Sequence, residues 1–126
     1  MSELRIQTVF VTLAGENLSE LVAFYQEFFG QLPDVYSPDR YAEFKLPGCK
    51  LALFRPSTGH CEEFLGTAAS MSLCLEVVDL DAAIATLTTL GYPPPGQVIQ
   101  ASHGQEIYAY DPAGNRLILH QASPSD

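Results

Sequence analysis

The hydrophobic pattern of this chain switches between a period of two and a period of about 3.6 residues, and the switches mark its elements. QTVFVTLAG, residues 7–15, sets Val9, Val11 and Leu13 on one side and Thr8, Phe10 and Thr12 on the other, as in a half-buried strand. ENLSELVAFYQEFFGQ then repeats Leu18, Leu21, Val22, Tyr25, Phe28 and Phe29 at helical spacing. Asn17 is placed to cap this helix, Glu20 to complete a capping-box-like pair, and Gly30 to stop it. RYAEFKLPG and CKLALFRP read as two strands joined by a Pro47-Gly48 turn. STGHCEEFLGTAAS has no clean period and reads as a connector over 57–70, with His60, Cys61, Glu62 and Glu63 on a solvated loop.

After the connector the pattern starts again. SMSLCLEVV alternates Met71, Leu73, Leu75 and Val77 against Ser72, Cys74 and Glu76. DLDAAIATLTTLGY is a helix capped by Asp79, with Leu80, Ile84 and Leu87 on its apolar stripe and Gly91 at its stop. VIQAS, EIYAYDP and NRLILHQ follow as strands, and DPAGN between the last two reads as a tight hairpin connection. Sliding one half on the other sets FVTLAGENL on SLCLEVVDL and GCKLALFRPS on GNRLILHQAS. The chain is thus one unit used twice, over about 4–56 and about 71–122, and neither half can bury a sheet face alone.

Length and composition then narrow the class. The 126 residues suffice for one domain, and 47% hydrophobic against 17% charged residues supports a packed core. A net charge of −9 with six Lys and Arg argues against nucleic acid and admits cationic or neutral ligands. Cys49, Cys61 and Cys74 are odd in number and follow no C-x-x-C spacing, so a reduced, cytoplasmic setting is expected. MSELRIQ lacks the basic-then-apolar pattern of a signal peptide, and no apolar run approaches the ~20 residues that span a bilayer, so no membrane association is expected. G-x-S-x-G, P-loop and G-x-G-x-x-G motifs are absent.

FVTLAGENLSELVAFYQEFFG, YAEFKLPGCKLALFRP, MSLCLEVVDLDAAIATLTTLGY and AYDPAGNRLILHQ, in this order, resemble the vicinal oxygen chelate superfamily. Glyoxalase I, extradiol dioxygenases, fosfomycin-resistance enzymes and bleomycin-resistance proteins belong to it. The resemblance spans residues 1–126 as a single domain and implies an α+β fold. In that fold two tandem βαβββ modules form a curled mixed sheet whose concave face holds the ligand. Strand parity places Val9, Val11, Leu13, Leu51, Leu53, Leu73, Leu75, Val77, Leu117 and Leu119 under the helices. The opposite faces carry Thr8, Phe10, Thr12, Ala52, Phe54, Ser72, Cys74, Glu76, Tyr108, Tyr110, Arg116, Ile118 and His120.

Metal-dependent relatives hold a divalent ion with four strand residues. The resemblance carries those positions onto Phe10, Ala52, Ser72 and Ile118, which supply at most one weak donor. No metal cofactor is therefore expected there; a displaced ion near Cys74, Glu76 and His120 is the lesser reading. The expected ligand wall is Phe10, Thr12, Phe54, Ser72, Cys74, Glu76, Tyr108, Tyr110 and Ile118, with Tyr36 and Tyr41 closing one end. The same aromatics serve equally well as core or interface residues, and the pattern does not separate the two. Two functions follow: metal-independent binding of a small organic molecule, or a lyase or dioxygenase-type enzyme using a displaced metal or Glu76 and His120. A reactive Cys74 thiol finds no cationic neighbour in the sequence. Relatives of this length commonly pair, so a homodimer is expected, with halves closed or exchanged.

Overall fold

The computed structural model describes residues 4–64 and 70–123. Its first module runs β1 (Val11–Ala14), α1 (Leu18–Phe29), β2 (Val35–Ser37), β3 (Tyr41–Leu46) and β4 (Cys49–Phe54). A 3-10 turn (Thr58–His60) and a single helical turn, α2 (Cys61–Phe64), follow; residues 65–69 of the expected connector lie outside the described residues. The second module runs β5 (Leu73–Glu76), α3 (Leu80–Leu90), β6 (Ile99–Ala101), β7 (Gly104–Tyr110) and β8 (Arg116–Ala122). Each module is one four-stranded mixed sheet, ordered β1-β4-β3-β2 and β5-β8-β7-β6. The fold is the expected α+β pair of βαβββ units, with β1 and β5 each left as a sheet edge.

The register repeats across the two parallel strand pairs. Thr12 faces Ala52 and Ala14 faces Phe54 across the parallel β1–β4 pair. At the same places Cys74 faces Ile118 and Glu76 faces His120 across β5–β8. Helices sit where their stripes predict, because burying a stripe against a sheet face is the main source of their stability. Leu21 and Tyr25 of α1 and Leu80 and Leu87 of α3 are buried in one core with Leu51, Leu53, Leu117 and Leu119. Both helices are capped as expected, Asn17 Oδ1 accepting from Glu20 N and Asp79 Oδ1 from Ala82 N. The Glu20 carboxylate, however, accepts from the Tyr92 hydroxyl at 3.3 Å, tying α1 to the residue beyond α3.

Several expectations need correction. Val9 is 76% exposed and Met71 is 78% exposed rather than lying under the helices. Both fall where the ladder runs out: β1 begins at Val11 opposite Leu51, and β5 begins at Leu73 opposite Leu117. One step further, each partner strand turns away at Pro47-Gly48 or at the DPAGN hairpin. The stretch over His60, Cys61, Glu62 and Glu63 is a 3-10 turn and a helical turn rather than a loop, with Cys61 Sγ donating to Ser57 O at 3.5 Å. β2 joins β3 within residues expected to be loop, Tyr36 standing opposite Ala42.

The DPAGN hairpin is also the joint between modules. Asp111, 3% exposed, accepts at Oδ1 from the Ala113 and Asn115 amides, and at Oδ2 from Asn115 Nδ2 and the Tyr25 hydroxyl. Asn115 Nδ2 also donates to the Ala14 carbonyl of β1 at 3.3 Å. A buried carboxylate is tolerable because every lone pair finds a donor. Burial and the adjacent Asp111 push the Tyr25 phenol well above its ordinary value.

Candidate functional site

On the side of the second sheet away from the helices, the strands set their side chains in cross-strand rows. One row is Cys74, Ile118 and Tyr108; the next is Glu76, His120 and Glu106. Arg116 and Tyr110 form a third, and Arg116 Nε donates to Ser72 Oγ at 2.6 Å. In the middle row, His120 Nδ1 lies 2.8 Å from Glu76 Oε1, and His120 Nε2 lies 2.9 Å from His103 Nδ1. The His120 side chain is only 12% exposed, whereas Glu76 is 68% exposed.

His103 sits in the turn between β6 and β7, and Gly104 brings it there. With φ at +147°, Gly104 takes a backbone shape that L side chains rarely adopt, and a Cβ would run into the Gln121 carbonyl oxygen. The turn therefore lies flat on β8, pinned by Ser123 N donating to the His103 carbonyl at 3.1 Å. His103 and Glu106 were absent from the sequence-derived site. Glu106 was legible, because the alternation in EIYAYDP puts it on the same face as Tyr108 and Tyr110. His103 was not, because only the turn geometry brings it to His120.

The first sheet's matching face has different chemistry. Lys50 Nζ stands 4.2 Å from the Phe10 ring centre and 3.5 Å from Glu43 Oε2. The Tyr41 hydroxyl donates to Glu43, which lifts the phenol to about 12 and lowers the Glu43 carboxyl. Phe54, the counterpart of His120, makes an edge-to-face contact with Phe64 at 4.9 Å. Tyr41 faces Phe54, but Tyr36 pairs with Ala42 on the other parity, so the two do not close one end together. Ala52 lies on this face between Thr12 and Glu43 yet is fully buried.

Of the four positions the resemblance assigns to a metal, Phe10 and Ala52 thus belong to the first module, Ser72 and Ile118 to the second. Ser72, the sole oxygen donor among them, already accepts from a guanidinium. These residues do not fit a divalent ion.

A cleft of about 760 Å³ opens between the modules, at the C-terminal end of α1 and the first half of α3. Phe28, Phe29, Val11 and Leu46 form one wall, and both parities of β5 form the other, because the cleft meets that strand along its free edge. Ser72, Cys74 and Glu76 of the expected ligand wall line it. Thr12, Phe54, Tyr108, Tyr110 and Ile118 lie on the open sheet faces instead, and Phe10 precedes β1 beside Lys50 Nζ. Among the described lining residues, Glu76 is the one charged group. Desolvation, and then the carboxylates of Glu76 and Glu106, push the Cys74 thiol up, which disfavours a nucleophilic thiolate.

No family sequence model and no curated protein matches the chain. Solved structures do. A glyoxalase-related enzyme from Fulvimarina pelagi is 22% identical, with a TM-score of 0.70, covering 92% of this chain and 88% of that one. A glyoxalase / bleomycin resistance protein from Catenulispora acidiphila is 20% identical at TM-score 0.69, covering 91% and 97%. A genomically encoded fosfomycin resistance protein from Listeria monocytogenes is 18% identical at TM-score 0.75, covering 96% and 97%. The chain therefore has the fold of the glyoxalase, bleomycin-resistance and fosfomycin-resistance proteins, over nearly its whole length. The fold carries enzymes and resistance proteins alike, so activity has to be argued from the site.

Proposed function

We propose that this chain is a small-molecule-binding protein of the glyoxalase/bleomycin-resistance superfamily that needs no metal at the superfamily's ligand positions. The observation carrying this reading is the inter-module cleft, whose described walls are mostly apolar and aromatic, with Glu76 their one charged group. Such a site favours an organic cation: its apolar body is buried against Phe28, Phe29 and Leu75, and its charge sits beside Glu76. The net charge of −9 adds long-range attraction for such a ligand.

The test is a thermal-shift titration of chelator-treated protein with hydrophobic ammonium compounds and their neutral isosteres. The cations raise the melting temperature with concentration, and Glu76→Gln removes their advantage over the isosteres. A panel without any shift in the wild-type protein overturns the reading. The oriented Glu76–His120 pair favours a second one, an acid–base lyase or dioxygenase-type enzyme, which requires turnover that His120→Ala abolishes.

The working unit we propose is a homodimer in a cytoplasmic setting. β1 and β5 are free edges, and exposed apolar residues flank both: Leu4, Ile6 and Val9 before β1, Met71 and Val78 around β5. Three free cysteines fit a reducing compartment. Light scattering is expected to give twice the chain mass, and a monomer at working concentrations removes the dimer.

A further inference from the structure

We propose that His103, Glu106 and His120 form a binding site for a divalent transition-metal ion of the zinc, cobalt or nickel class. In it, Glu76 acts as the residue that positions His120. The site is distinct from the four superfamily positions and does not rest on the ligand reading above. Three observations carry it. The donor atoms of the three residues all lie within 4.8 Å of one another, although they come from a turn and two strands. Two nitrogens bound to one tetrahedral zinc, each about 2.0–2.1 Å from it, stand about 3.3 Å apart. The 2.9 Å between His103 Nδ1 and His120 Nε2 needs to open by only a few tenths of an ångström.

The second observation is the 2.8 Å contact between His120 Nδ1 and Glu76 Oε1. An ionised Glu76 can only accept, so the neutral His120 ring carries its proton on Nδ1 and turns the Nε2 lone pair toward His103. A carboxylate behind a histidine in this way orients the ring and raises its donor strength toward a metal. Third, the cluster is built by the backbone. Glu106 and His120 are direct cross-strand partners, and Gly104 with the Ser123–His103 hydrogen bond sets the turn against β8. Two imidazoles and one carboxylate suit zinc, cobalt(II) or nickel(II), and not calcium or magnesium, which want oxygen shells. Three protein donors leave a coordination position for a water or a ligand atom.

The test uses the full chain, stripped with chelator and dialysed, then titrated with zinc chloride by calorimetry and with cobalt(II) by visible absorption. One equivalent per chain is expected, with the cobalt spectrum of a nitrogen-ligated site. His103→Ala removes binding; because His103 is exposed, this variant keeps its fold. His120→Phe, which installs the residue found at the matching position of the first module, removes it as well. Glu76→Gln keeps the stoichiometry and weakens affinity about 10–100-fold. Zinc bound equally by wild type and His103→Ala overturns the proposal. So does binding that is lost in His60→Ala instead, or no stoichiometric binding at all.

Discussion

The two sheets are built on one backbone plan and carry opposite chemistry at matching places. Ala14 faces Phe54 where Glu76 faces His120. The first pair ends in an aromatic contact with Phe64, the second in a polar chain running from Glu76 through His120 to His103. Beneath both, the core positions are unchanged: Leu51 and Leu53 in one module, Leu117 and Leu119 in the other, all fully buried. A repeat conserves what packing demands and leaves the solvent-facing parity free to diverge, because one face of a sheet is constrained by volume and the other is not.

The strongest test of that shared plan is at its core. Leu53→Ala and Leu119→Ala are expected to lose about 2–5 kcal/mol each, and by similar amounts, in denaturant unfolding. A large inequality breaks the claim that the modules are equivalent scaffolds. Next is their joint. Asp111→Ala strands the Tyr25 hydroxyl inside the protein and leaves Asn115 Nδ2 only the Ala14 carbonyl, and is expected to cost about 2–3 kcal/mol, lowering the melting temperature by roughly 10 °C.

A pH effect follows from the same joint. The Tyr25 phenol titrates higher in the folded chain than in the unfolded one, so the folded state releases its proton less readily. That contribution is complete below the ordinary tyrosine value of 10.0 and is lost as pH rises above it toward the folded value. Thermal unfolding across this range is expected to show a fall in stability that is shallower in Tyr25→Phe. The smallest effect belongs to the first sheet's open face. Glu43→Ala is expected to bring the Tyr41 phenol down from about 12 toward its ordinary value, read by ultraviolet titration, with the fold intact. An unchanged titration would separate Tyr41 from Glu43.

Much of this was legible in the chain. The caps at Asn17 and Asp79, both helical stripes and the parity of β4, β5 and β8 follow from local preferences and were read correctly. Val9 and Met71 were misplaced because alternation continues in the sequence beyond the end of the paired ladder, which begins at Val11 in β1 and at Leu73 in β5. The hairpin reading of DPAGN was right, yet its buried carboxylate, shared with Tyr25 of the other module, has no local signature.

The site divides along the same line. By itself the sequence determined a doubled βαβββ pattern, the faces of its strands, and the side chains at Phe10, Ala52, Ser72 and Ile118, the positions to which the resemblance carries a metal. These follow from the direction of each Cβ and the chemistry of each side chain, which are local properties. Only the tertiary structure decided that a cleft opens along the free edge of β5, and that His103 meets His120 over Glu106. Convergence depends on strand register and on the shape of one glycine turn. Those are set by how distant segments pack, and periodicity within a segment carries no record of them.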